Sequence, residues 1–413
     1  MERRRVVITG LGAVTPIGLT AKESWQAAKD GVCGIAPITQ FDPTGMKVHL
    51  AAEVKGFEPE NYMGKPEAKR MARFTQLAVV SAQEAMADAG FTLDEAEADR
   101  CGVIVSSGIG GLFLTEAEHD KGKEKGWDRV SPFYIPMGIC NMAAGQIAIH
   151  TGFRGMCSCP VTACTGGTNA VGDAFHYIRD GYADVMLCGG AESAVTPLAI
   201  GAFTSMRALT QNPDPNRASI PFDAERSGFV LGEGAAVLLL EELGHAQARG
   251  AQIYAEVVGY GATCDAYHMT APRPDGSGGA KAMEMALADG GVKPDEVDYI
   301  NAHGTSTPLN DASETTAVKA VFGDHAYQLA ISSTKSMTGH MLGAAGAVEA
   351  LFCAKTLQEG YLPATINYQV PDPACDLDVV PNQGRSADVR YALSNSLGFG
   401  GHNGSLLFKK WEA

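Results

Sequence analysis

The sequence predicts an α/β protein that contains a duplicated α/β unit, and three observations support this. Short β-branched and aliphatic runs alternate along the 413 residues with longer segments whose apolar side chains recur every 3.6 residues. This alternation is typical of α/β domains. Residues 164–181 resemble residues 343–360, since each segment starts with small residues, continues as a predicted helix and ends in glycine. The 49 glycines cluster at the ends of apolar runs, where glycine permits positive φ and a close approach to main-chain N–H groups.

The first half of the chain predicts four buried strands and one long helix. The helix spans residues 73–89, in which the apolar positions follow a 3.6-residue period. The strands are short apolar runs that are rich in valine, isoleucine and leucine. They lie at residues 5–10, 102–106, 185–189 and 235–240.

The second half of the chain repeats this pattern. We place the division near residue 250, where the sequence is polar, which gives an N-terminal half 1–250 and a C-terminal half 251–413. No Ser/Gly-rich or Pro-rich linker separates the halves, so we expect them to pack as one body with the site between them. The elements predicted here are strands at 255–260 and 297–302 and helices at 280–288 and 314–322. A short strand also precedes each of the two similar segments, at 159–163 in the first half and at 328–333 in the second.

Charge and composition exclude several classes of function. The formal net charge is −15, whereas a nucleic-acid-binding protein needs a basic surface to neutralise phosphates. No apolar run approaches the ~20 residues of a membrane span, and Gly10 and Gly12 interrupt the apolar segment that a signal peptide would need. The ten cysteines show no disulfide spacing, and Cys157 and Cys159 have no second pair of ligands nearby, so no metal site is predicted. We expect a cytoplasmic protein with reduced thiols.

Cys164 is the first candidate for a catalytic residue. It lies in "PVTACTGGT", where a predicted strand ends in a turn of small residues that leads into a helix. The positive end of a helix dipole and the free N–H groups of the first turn lower the pKa of a thiol and favour the thiolate. The same N–H groups can form an oxyanion hole. The alternative is a small residue that is buried where strand and helix meet.

Two histidines and a lysine are the next candidates. His303 follows a predicted strand in "INAHGTSTPLND", a position that suits a residue in a cleft. His340 lies in "STKSMTGHMLGAAGA", five residues after Lys335 and nine before Glu349. A lysine near a histidine changes the protonation of the imidazole electrostatically. The alternatives are a structural histidine that bonds a loop carbonyl and a solvated loop lysine.

The glycine-rich segment "SNSLGFGGHNG" surrounds Phe399 with three glycines, which allow this ring to move. The segment is a candidate gate or a source of a backbone N–H, and alternatively a β-bulge or a turn. No glycine loop has the sequence and context of a nucleotide-binding motif. A thiol, two histidines, a lysine and glycine loops together are the groups that thiol-based acyl transfer uses.

These motifs resemble those of the elongating β-ketoacyl-[acyl-carrier-protein] synthases, and the synthase II branch is the most similar. The resemblance extends from "RVVITGLGAVTPIG" to "GSLLFKK", and includes "TACTGGT", "PFDAERSGFVLGEGA", "NAHGTSTPLND", "STKSMTGHMLGAAGA" and "SNSLGFGGHNG" in family order. Initiating synthases use His and Asn, and thiolases carry a second cysteine near the C-terminus. The resemblance implies a thiolase-like fold, in which the duplicated unit forms a layered α-β-α-β-α sandwich.

The resemblance also implies a decarboxylative condensation in fatty-acid biosynthesis. An acyl chain would be held as a thioester on Cys164, and the carbanion formed from malonyl-carrier protein would attack it. His303 and His340 would stabilise the enolate. By the same resemblance, Lys335 and Glu349 would support the histidines, and the N–H groups of Cys164 and Phe399 would hold the oxyanion. Phe399 would also gate the pocket, and Ile109 would line its acyl end. The pantetheine arm would be bound by Thr270, Thr305 and Thr307.

Acyl carrier protein, loaded with acyl or malonyl groups, is the partner that this resemblance implies. The enzyme would bind no cofactor itself, because phosphopantetheine arrives on the carrier. A homodimer is also implied. Because the carrier protein of this pathway is acidic, we expect a basic docking face, although each charge can equally belong to a solvated helix. The candidates are Lys65, Lys69, Arg70, Arg73, Arg129 and Arg207.

Two alternatives remain at this point. A polyketide-type ketosynthase would share the same three catalytic residues, and only the acyl substrate would separate the two activities. A carrier-binding subunit without catalysis would lack the nucleophile, whereas Cys164 is present. Ile220 and His402 depart from the residues that the family often has, Arg and Thr, so the sequence leaves pocket preference and gate behaviour open.

Overall fold

Strands and helices alternate through residues 3–412, which are the residues that this computed structural model describes. The strands are β1 (Val6–Val14), β2 (Ala36–Pro37), β3 (Leu50–Ala51), β4 (Cys101–Ser106), β5 (Cys157–Ser158), β6 (Val185–Glu192), β7 (Gly234–Glu242), β8 (Ala255–Cys264), β9 (Tyr299–Asn301), β10 (Ala330–Ser332), β11 (Tyr361–Leu362), β12 (Arg385–Ser386), β13 (Tyr391–Gly398) and β14 (His402–Lys410). The helices are α1 (Ala21–Lys29), α2 (Lys65–Ala68), α3 (Arg73–Asp88), α4 (Leu112–Lys125), α5 (Tyr134–Gly138), α6 (Met142–Thr151), α7 (Gly166–Arg179), α8 (Pro197–Ser205), α9 (Pro215–Ala218), α10 (Leu243–Ala248), α11 (Ser277–Gly290), α12 (Pro308–Phe322), α13 (Lys335–Thr338) and α14 (Ala345–Glu359).

The main sheet consists of two five-stranded halves with the same topology. The order is β1-β7-β6-β4-β5 in the first half and β8-β14-β13-β9-β10 in the second. In each half, the first two neighbouring pairs in this order are antiparallel and the last two are parallel. A short antiparallel ladder between β1 and β8 joins the halves. The repeated order and orientation confirm the predicted duplication of the α/β unit.

The helices form three layers around the two halves of the sheet. The central layer consists of α7 and α14, which contact each other and strands of both halves. On the outside of the first half lie α3 and α6, and on the outside of the second half lie α11 and α12. The result is the layered α-β-α-β-α sandwich that the family resemblance implied. Within residues 3–412, every helix is too short or too polar to pass through a bilayer.

An apolar core fills each interface between layers. The central core includes Val171 and Leu351, which face it from α7 and α14. The outer cores include Leu77 of α3 and Met283 of α11. All four of these side chains are buried, and full burial of such a side chain stabilises the fold by about 1.5–3 kcal/mol.

The two central helices lie close together at their N-termini. A Cβ atom on Gly346 would lie 2.1 Å from Oγ1 of Thr168, and one on Gly167 would lie 2.8 Å from the main-chain nitrogen of Ala347. Only glycine permits so short a distance between the backbones. The turns Ala163–Thr165 and Leu342–Ala344, which precede the two helices, are therefore neighbours.

These two turns share an uncommon backbone conformation. Ala163 has φ +51° and Leu342 has φ +46°, although neither residue is glycine. Each residue occupies the position directly before its small-residue segment, residues 164–181 or 343–360. Non-glycine residues with such φ values are uncommon and concentrate at functional sites, where the surrounding structure holds them.

The predicted end of the first strand was wrong. Residues 5–10 were expected to end at Gly10, but β1 continues to Val14 through both Gly10 and Gly12. A Cβ atom on Gly10 would lie 2.1 Å from the carbonyl oxygen of Ala85, and one on Gly12 would lie 1.9 Å from that of Ser81. These glycines therefore allow α3 to pack against the strand and do not interrupt it.

The predicted strand at residues 159–163 was also wrong. The strand there is β5, which has two residues and ends at Ser158. Pro160 has no N–H to donate to a neighbouring strand, and Ala163 already belongs to the turn before α7. The remaining predicted elements are confirmed, with small differences in their bounds, as α3, α7, α11, α12, α14, β4, β6, β7, β8, β9 and β10.

The contact between the central helices predicts a strong effect of one methyl group. Gly346→Ala should destabilise the protein by about 1–3 kcal/mol, because the added Cβ collides with Thr168. Gly201→Ala in α8 is the matched control, since no atom lies within 4 Å of the added Cβ there. Denaturant titration of both variants measures the difference. Equal stability of Gly346→Ala and the unchanged protein would contradict the packing described here.

Candidate active site

A cavity of about 430 Å³ lies where the turns before α7 and α14 meet. A larger cavity of about 590 Å³ lies beside Arg73 and Phe113, but neither a cysteine nor a histidine lines it. The chemistry that the sequence predicts therefore belongs to the smaller cavity. The predicted residues that line it are Ile109, Cys164, Arg207, Thr270, His303, Thr305, Thr307, His340 and Phe399.

Cys164 lies in the turn before α7, and its side chain is almost completely buried. The backbone N–H groups of Phe399 and of Cys164 itself are both placed to bond its thiol sulfur. Gly398 allows this approach, because a Cβ atom there would lie 3.2 Å from the main-chain nitrogen of Cys164. The structure thus brings together the two N–H groups that the family resemblance paired as an oxyanion hole.

The expectation of a lowered thiol pKa was wrong. Burial raises the pKa of Cys164 to about 12, and the charge of Glu192 raises it further. The positive charge of Lys335 and the two N–H groups act in the opposite direction but do not balance burial. The thiol is enclosed by the protein, and its two N–H neighbours replace only part of the lost hydration. The resting nucleophile is therefore a neutral thiol at neutral pH.

His303 and His340 are neighbours in the cavity. Their ring centroids are 5.2 Å apart with nearly perpendicular planes, and both side chains are buried. Nδ1 of each ring is buried without a hydrogen-bond partner among residues 3–412. This arrangement does not fit the alternative of a structural histidine that bonds a loop carbonyl.

The electrostatic environment keeps both imidazoles neutral. Burial is the largest cause that lowers the pKa of His303 and of His340 well below the usual value. The positive charge of Lys335 lowers both pKa values further, and His340 also lowers that of His303. A neutral imidazole still offers one N–H donor and does not bring a charge into the cavity.

Lys335 and Glu349 form a buried ion pair behind the cavity wall. Both side chains are almost completely buried, which excludes the alternative of a solvated loop lysine. Burial raises the pKa of Glu349, while Lys335 lowers it. The pair thus places one positive and one negative charge close to the neutral thiol and imidazoles.

Glu314 is a functional candidate that the sequence analysis did not identify. Its carboxylate oxygens accept hydrogen bonds from the backbone N–H groups of His303 and Gly304, both at 2.8 Å. Burial raises the pKa of Glu314 to about 7. An acidic residue on the helix that follows the histidine loop was the only available signal, and its partners became visible only in three dimensions.

A chain of aromatic rings connects Phe399 with the histidines. The sequence analysis did not predict this contact either. Phe399 lies 6.5 Å from Phe203, which lies 5.4 Å from Phe229, and Phe229 lies 5.2 Å from His340, measured between ring centroids. These rings form the apolar wall of the cavity. They are far apart in sequence, so no local pattern could indicate the contact.

The loop that carries Phe399 is a tight turn between β13 and β14, as one of the alternatives proposed. Gly400 and Gly401 have φ values of +87° and +76°, which glycine adopts readily. The backbone N–H of Gly400 donates to the carbonyl oxygen of Met269 at 2.8 Å, close to Thr270. The turn is therefore held by a second loop at the mouth of the cavity.

The predicted docking residues separate into three groups. Arg73 does not fit a docking role, because its guanidinium forms an ion pair at 2.8 Å with the fully buried carboxylate of Glu233. Arg207 is exposed and lines the cavity. The other candidates are exposed but do not line this cavity: Lys65, Lys69, Arg70 and Arg129.

The two departures from the family pattern lie close to the site. Ile220 is fully buried, and its backbone N–H donates to Oγ of Ser306 at 2.9 Å. His402 begins β14 directly after the turn that carries Phe399, where its ring lies against Gly400. Within residues 3–412, no group of three or more His, Cys, Asp or Glu side chains is arranged to hold a metal ion.

Comparison with known families identifies the class of protein. The family model "Beta-ketoacyl synthase, N-terminal domain" matches residues 3–246, and "Beta-ketoacyl synthase, C-terminal domain" matches residues 254–369. The chain belongs to the β-ketoacyl synthase family. It is a condensing acyltransferase, and the division near residue 250 stays a prediction of the sequence.

Curated relatives match this β-ketoacyl synthase along its whole length. A Synechocystis protein named 3-oxoacyl-[acyl-carrier-protein] synthase 2 is 53% identical over 413 residues, which cover 100% of this chain and 99% of the relative. A protein of the same name from Staphylococcus aureus is 52% identical over 412 residues and 100% of both chains.

Solved structures confirm the thiolase-like ketosynthase fold. A ketosynthase of a type II polyketide synthase, solved in complex with its acyl-carrier protein, has a TM-score of 0.92 and 36% identity over 100% of both chains. A β-ketoacyl synthase from Burkholderia phymatum has a TM-score of 0.92 and 36% identity over 99% of this chain and 100% of the other.

The raised pKa of Cys164 predicts how its alkylation by iodoacetamide depends on pH. Only the thiolate reacts, so the rate should rise about tenfold per pH unit from pH 7 to 9.5 without a plateau. Peptide mass spectrometry distinguishes Cys164 from the exposed Cys157 and Cys264. A plateau below pH 8 would mean that the thiolate is already formed in the resting site.

Proposed function

We propose that this protein is a β-ketoacyl-[acyl-carrier-protein] synthase of the synthase II type, which elongates fatty acids. The observation that carries the proposal is the single cavity that holds Cys164, His303 and His340 behind the Phe399 turn. The names of the relatives that are 52–53% identical over the full length support the same substrate class.

The first half-reaction transfers an acyl chain to Cys164. The sulfur attacks the thioester carbonyl of acyl-carrier protein, the bond to the pantetheine sulfur breaks, and the thiol proton leaves with the released carrier thiol. The backbone N–H groups of Cys164 and Phe399 lie beside the sulfur, where they can stabilise the tetrahedral oxyanion. The apolar wall of Phe203 and Phe229 suits an alkyl chain.

The second half-reaction forms the carbon–carbon bond. Malonyl-carrier protein loses carbon dioxide, and the enolate oxygen accepts hydrogen bonds from His303 and His340. The enolate carbon attacks the acyl-Cys164 carbonyl, the carbon–sulfur bond breaks, and the thiolate takes up a proton. Neutral imidazoles serve this step as N–H donors, because their low pKa makes them poor bases.

Lys335 and Glu349 would then act as supports. Burial keeps the thiol and the imidazoles neutral, and the positive charge of Lys335 lowers all three pKa values from behind the cavity wall, where Glu349 holds it as an ion pair. Thr270, Thr305 and Thr307 line the mouth and would bind the pantetheine arm, while Ile109 would line the acyl end. No cofactor is required by these steps, since the phosphopantetheine belongs to the carrier protein.

A homodimer in the cytoplasm completes the proposal. All ten cysteines, which lie within the described residues, are free, as a reducing compartment favours. Strand β5 is one of the two edges of the ten-stranded sheet, and exposed apolar side chains occur near it in sequence, as in dimer interfaces. These side chains include Ile149, Met156 and Val161.

The second candidate is a polyketide-type ketosynthase. The similarity to the carrier-bound polyketide ketosynthase favours it, but that identity is 36%, against 52–53% for the synthase 2 relatives. The acyl donor distinguishes the two functions, because a polyketide enzyme carries chains that keep their β-keto groups.

Mass spectrometry of the protein after incubation with acyl-carrier proteins tests the proposal. Saturated acyl chains should add to Cys164, and Cys164→Ala should abolish both this adduct and condensation, because no other group occupies that position. Cys164→Gln should keep malonyl decarboxylation, since both histidines remain. Normal chain elongation by Cys164→Ala would refute the nucleophile, and loading of β-ketoacyl chains alone would favour the polyketide function.

Substitution of two arginines tests the docking face. Arg207→Glu should raise the KM for acyl-carrier protein about fivefold at low salt, with an unchanged melting temperature, because it repels an acidic partner at the cavity mouth. Arg73→Ala should instead lower stability by about 3 kcal/mol, because the carboxylate of Glu233 is left buried without its counter-charge. A KM effect for Arg73→Ala without loss of stability would contradict this division.

A further inference from the structure

Glu192, the last residue of β6, is a fully buried carboxylate that none of the steps above uses. Its Oε1 accepts hydrogen bonds from Oγ of Ser107 at 3.0 Å and from the backbone N–H of Ile109 at 3.1 Å. Its Oε2 accepts from the N–H groups of Gly108 at 2.8 Å and Gly343 at 3.1 Å. Each oxygen therefore accepts two hydrogen bonds.

These donors come from both halves of the protein. Ser107, Gly108 and Ile109 belong to the loop between β4 and α4, and Ile109 lines the cavity. Gly343 belongs to the turn before α14, directly after Leu342, which lines the same cavity. The carboxylate thus ties two segments of the cavity wall together from behind.

The two segments meet too closely for larger residues. A Cβ atom on Gly343 would lie 2.7 Å from the main-chain nitrogen of Gly108, and one on Gly108 would lie 2.9 Å from Oε2 of Glu192. Any movement of the Ile109 loop away from the turn would break hydrogen bonds to buried N–H groups. Such groups are costly to leave unpaired, so the loop is held at a defined distance.

A carboxylate is the side chain that this position requires. Three of the four partners are backbone N–H groups, which can only donate, so two acceptor oxygens are needed. Glutamine would turn an NH₂ group toward at least one of these donors, and aspartate is one methylene shorter. Within residues 3–412, no lysine, arginine or histidine forms an ion pair with Glu192, and its polar contacts are these four hydrogen bonds.

We propose that Glu192 is a positioning residue that sets the acyl-chain selectivity of the cavity by holding the Ile109 loop against the Leu342–Gly343 turn. It contacts no reacting atom. The inference rests on the proposed function, because it requires that an acyl chain occupies this cavity.

Glu192→Gln tests the proposal in the full-length enzyme. The measurement is kcat/KM for octanoyl- and tetradecanoyl-carrier protein, together with the KM for malonyl-carrier protein. The kcat/KM for the tetradecanoyl donor, divided by that for the octanoyl donor, should rise at least fivefold, because the loop that carries Ile109 is no longer held in place. The KM for malonyl-carrier protein should stay within twofold.

Two control variants separate positioning from general stability. Ser107→Ala removes one donor on the Ile109 side and should shift the same ratio in the same direction by a smaller factor. Glu84→Gln alters a carboxylate that accepts hydrogen bonds from the backbone N–H groups of Ala13 and Ala21, both at 2.8 Å. None of these residues lines the cavity, so this variant should leave the ratio unchanged.

The outcomes are distinct. The proposal is overturned if Glu192→Gln leaves the ratio of the two kcat/KM values unchanged. It is also overturned if kcat/KM falls equally for both donors in parallel with a lower melting temperature. If Glu192→Gln does not fold, the ratio in Ser107→Ala decides in the same way. If the unchanged enzyme loads no acyl chain at all, the proposed function is wrong and this inference falls with it.

Discussion

The contact between the N-termini of α7 and α14 is the constraint on which the site depends. Gly167 and Gly346 let the two helices approach at backbone distance, so the turns before them become neighbours. One turn carries Cys164, and the other begins two residues after His340. Because the two helices belong to different halves of a duplicated unit, neither half could form the cavity alone.

The exclusion of water decides the resting state of the chemical groups. Burial raises the pKa of Cys164 and lowers the pKa values of His303 and His340, so all three are neutral at neutral pH. The buried charges behind the wall have partners, as in the Lys335–Glu349 ion pair and in Glu192, which accepts four hydrogen bonds. A neutral cavity suits the loading of an alkyl chain, and its fixed N–H groups are available when an oxyanion or enolate develops.

Several carboxylates serve the site without entering it. Glu314 fixes the backbone of the His303 loop, and Glu192 fixes the loop of Ile109 to the turn after His340. Both accept main-chain N–H groups that would otherwise be buried without partners. The loops that form the cavity are therefore held by acceptors that lie behind its wall.

The sequence by itself determined the α/β class, its duplication and the catalytic candidates. Periodicity reports burial along one element, and the motifs around Cys164, His303 and His340 are local. Prediction from the sequence failed where the local structure depends on contacts with distant segments. Gly10 and Gly12 do not end β1, because α3 lies against them, and Arg73 does not reach solvent freely, because Glu233 binds it. The thiol pKa, the aromatic chain and the partners of Glu192 likewise depend on burial and on contacts between the halves, which only the tertiary structure creates.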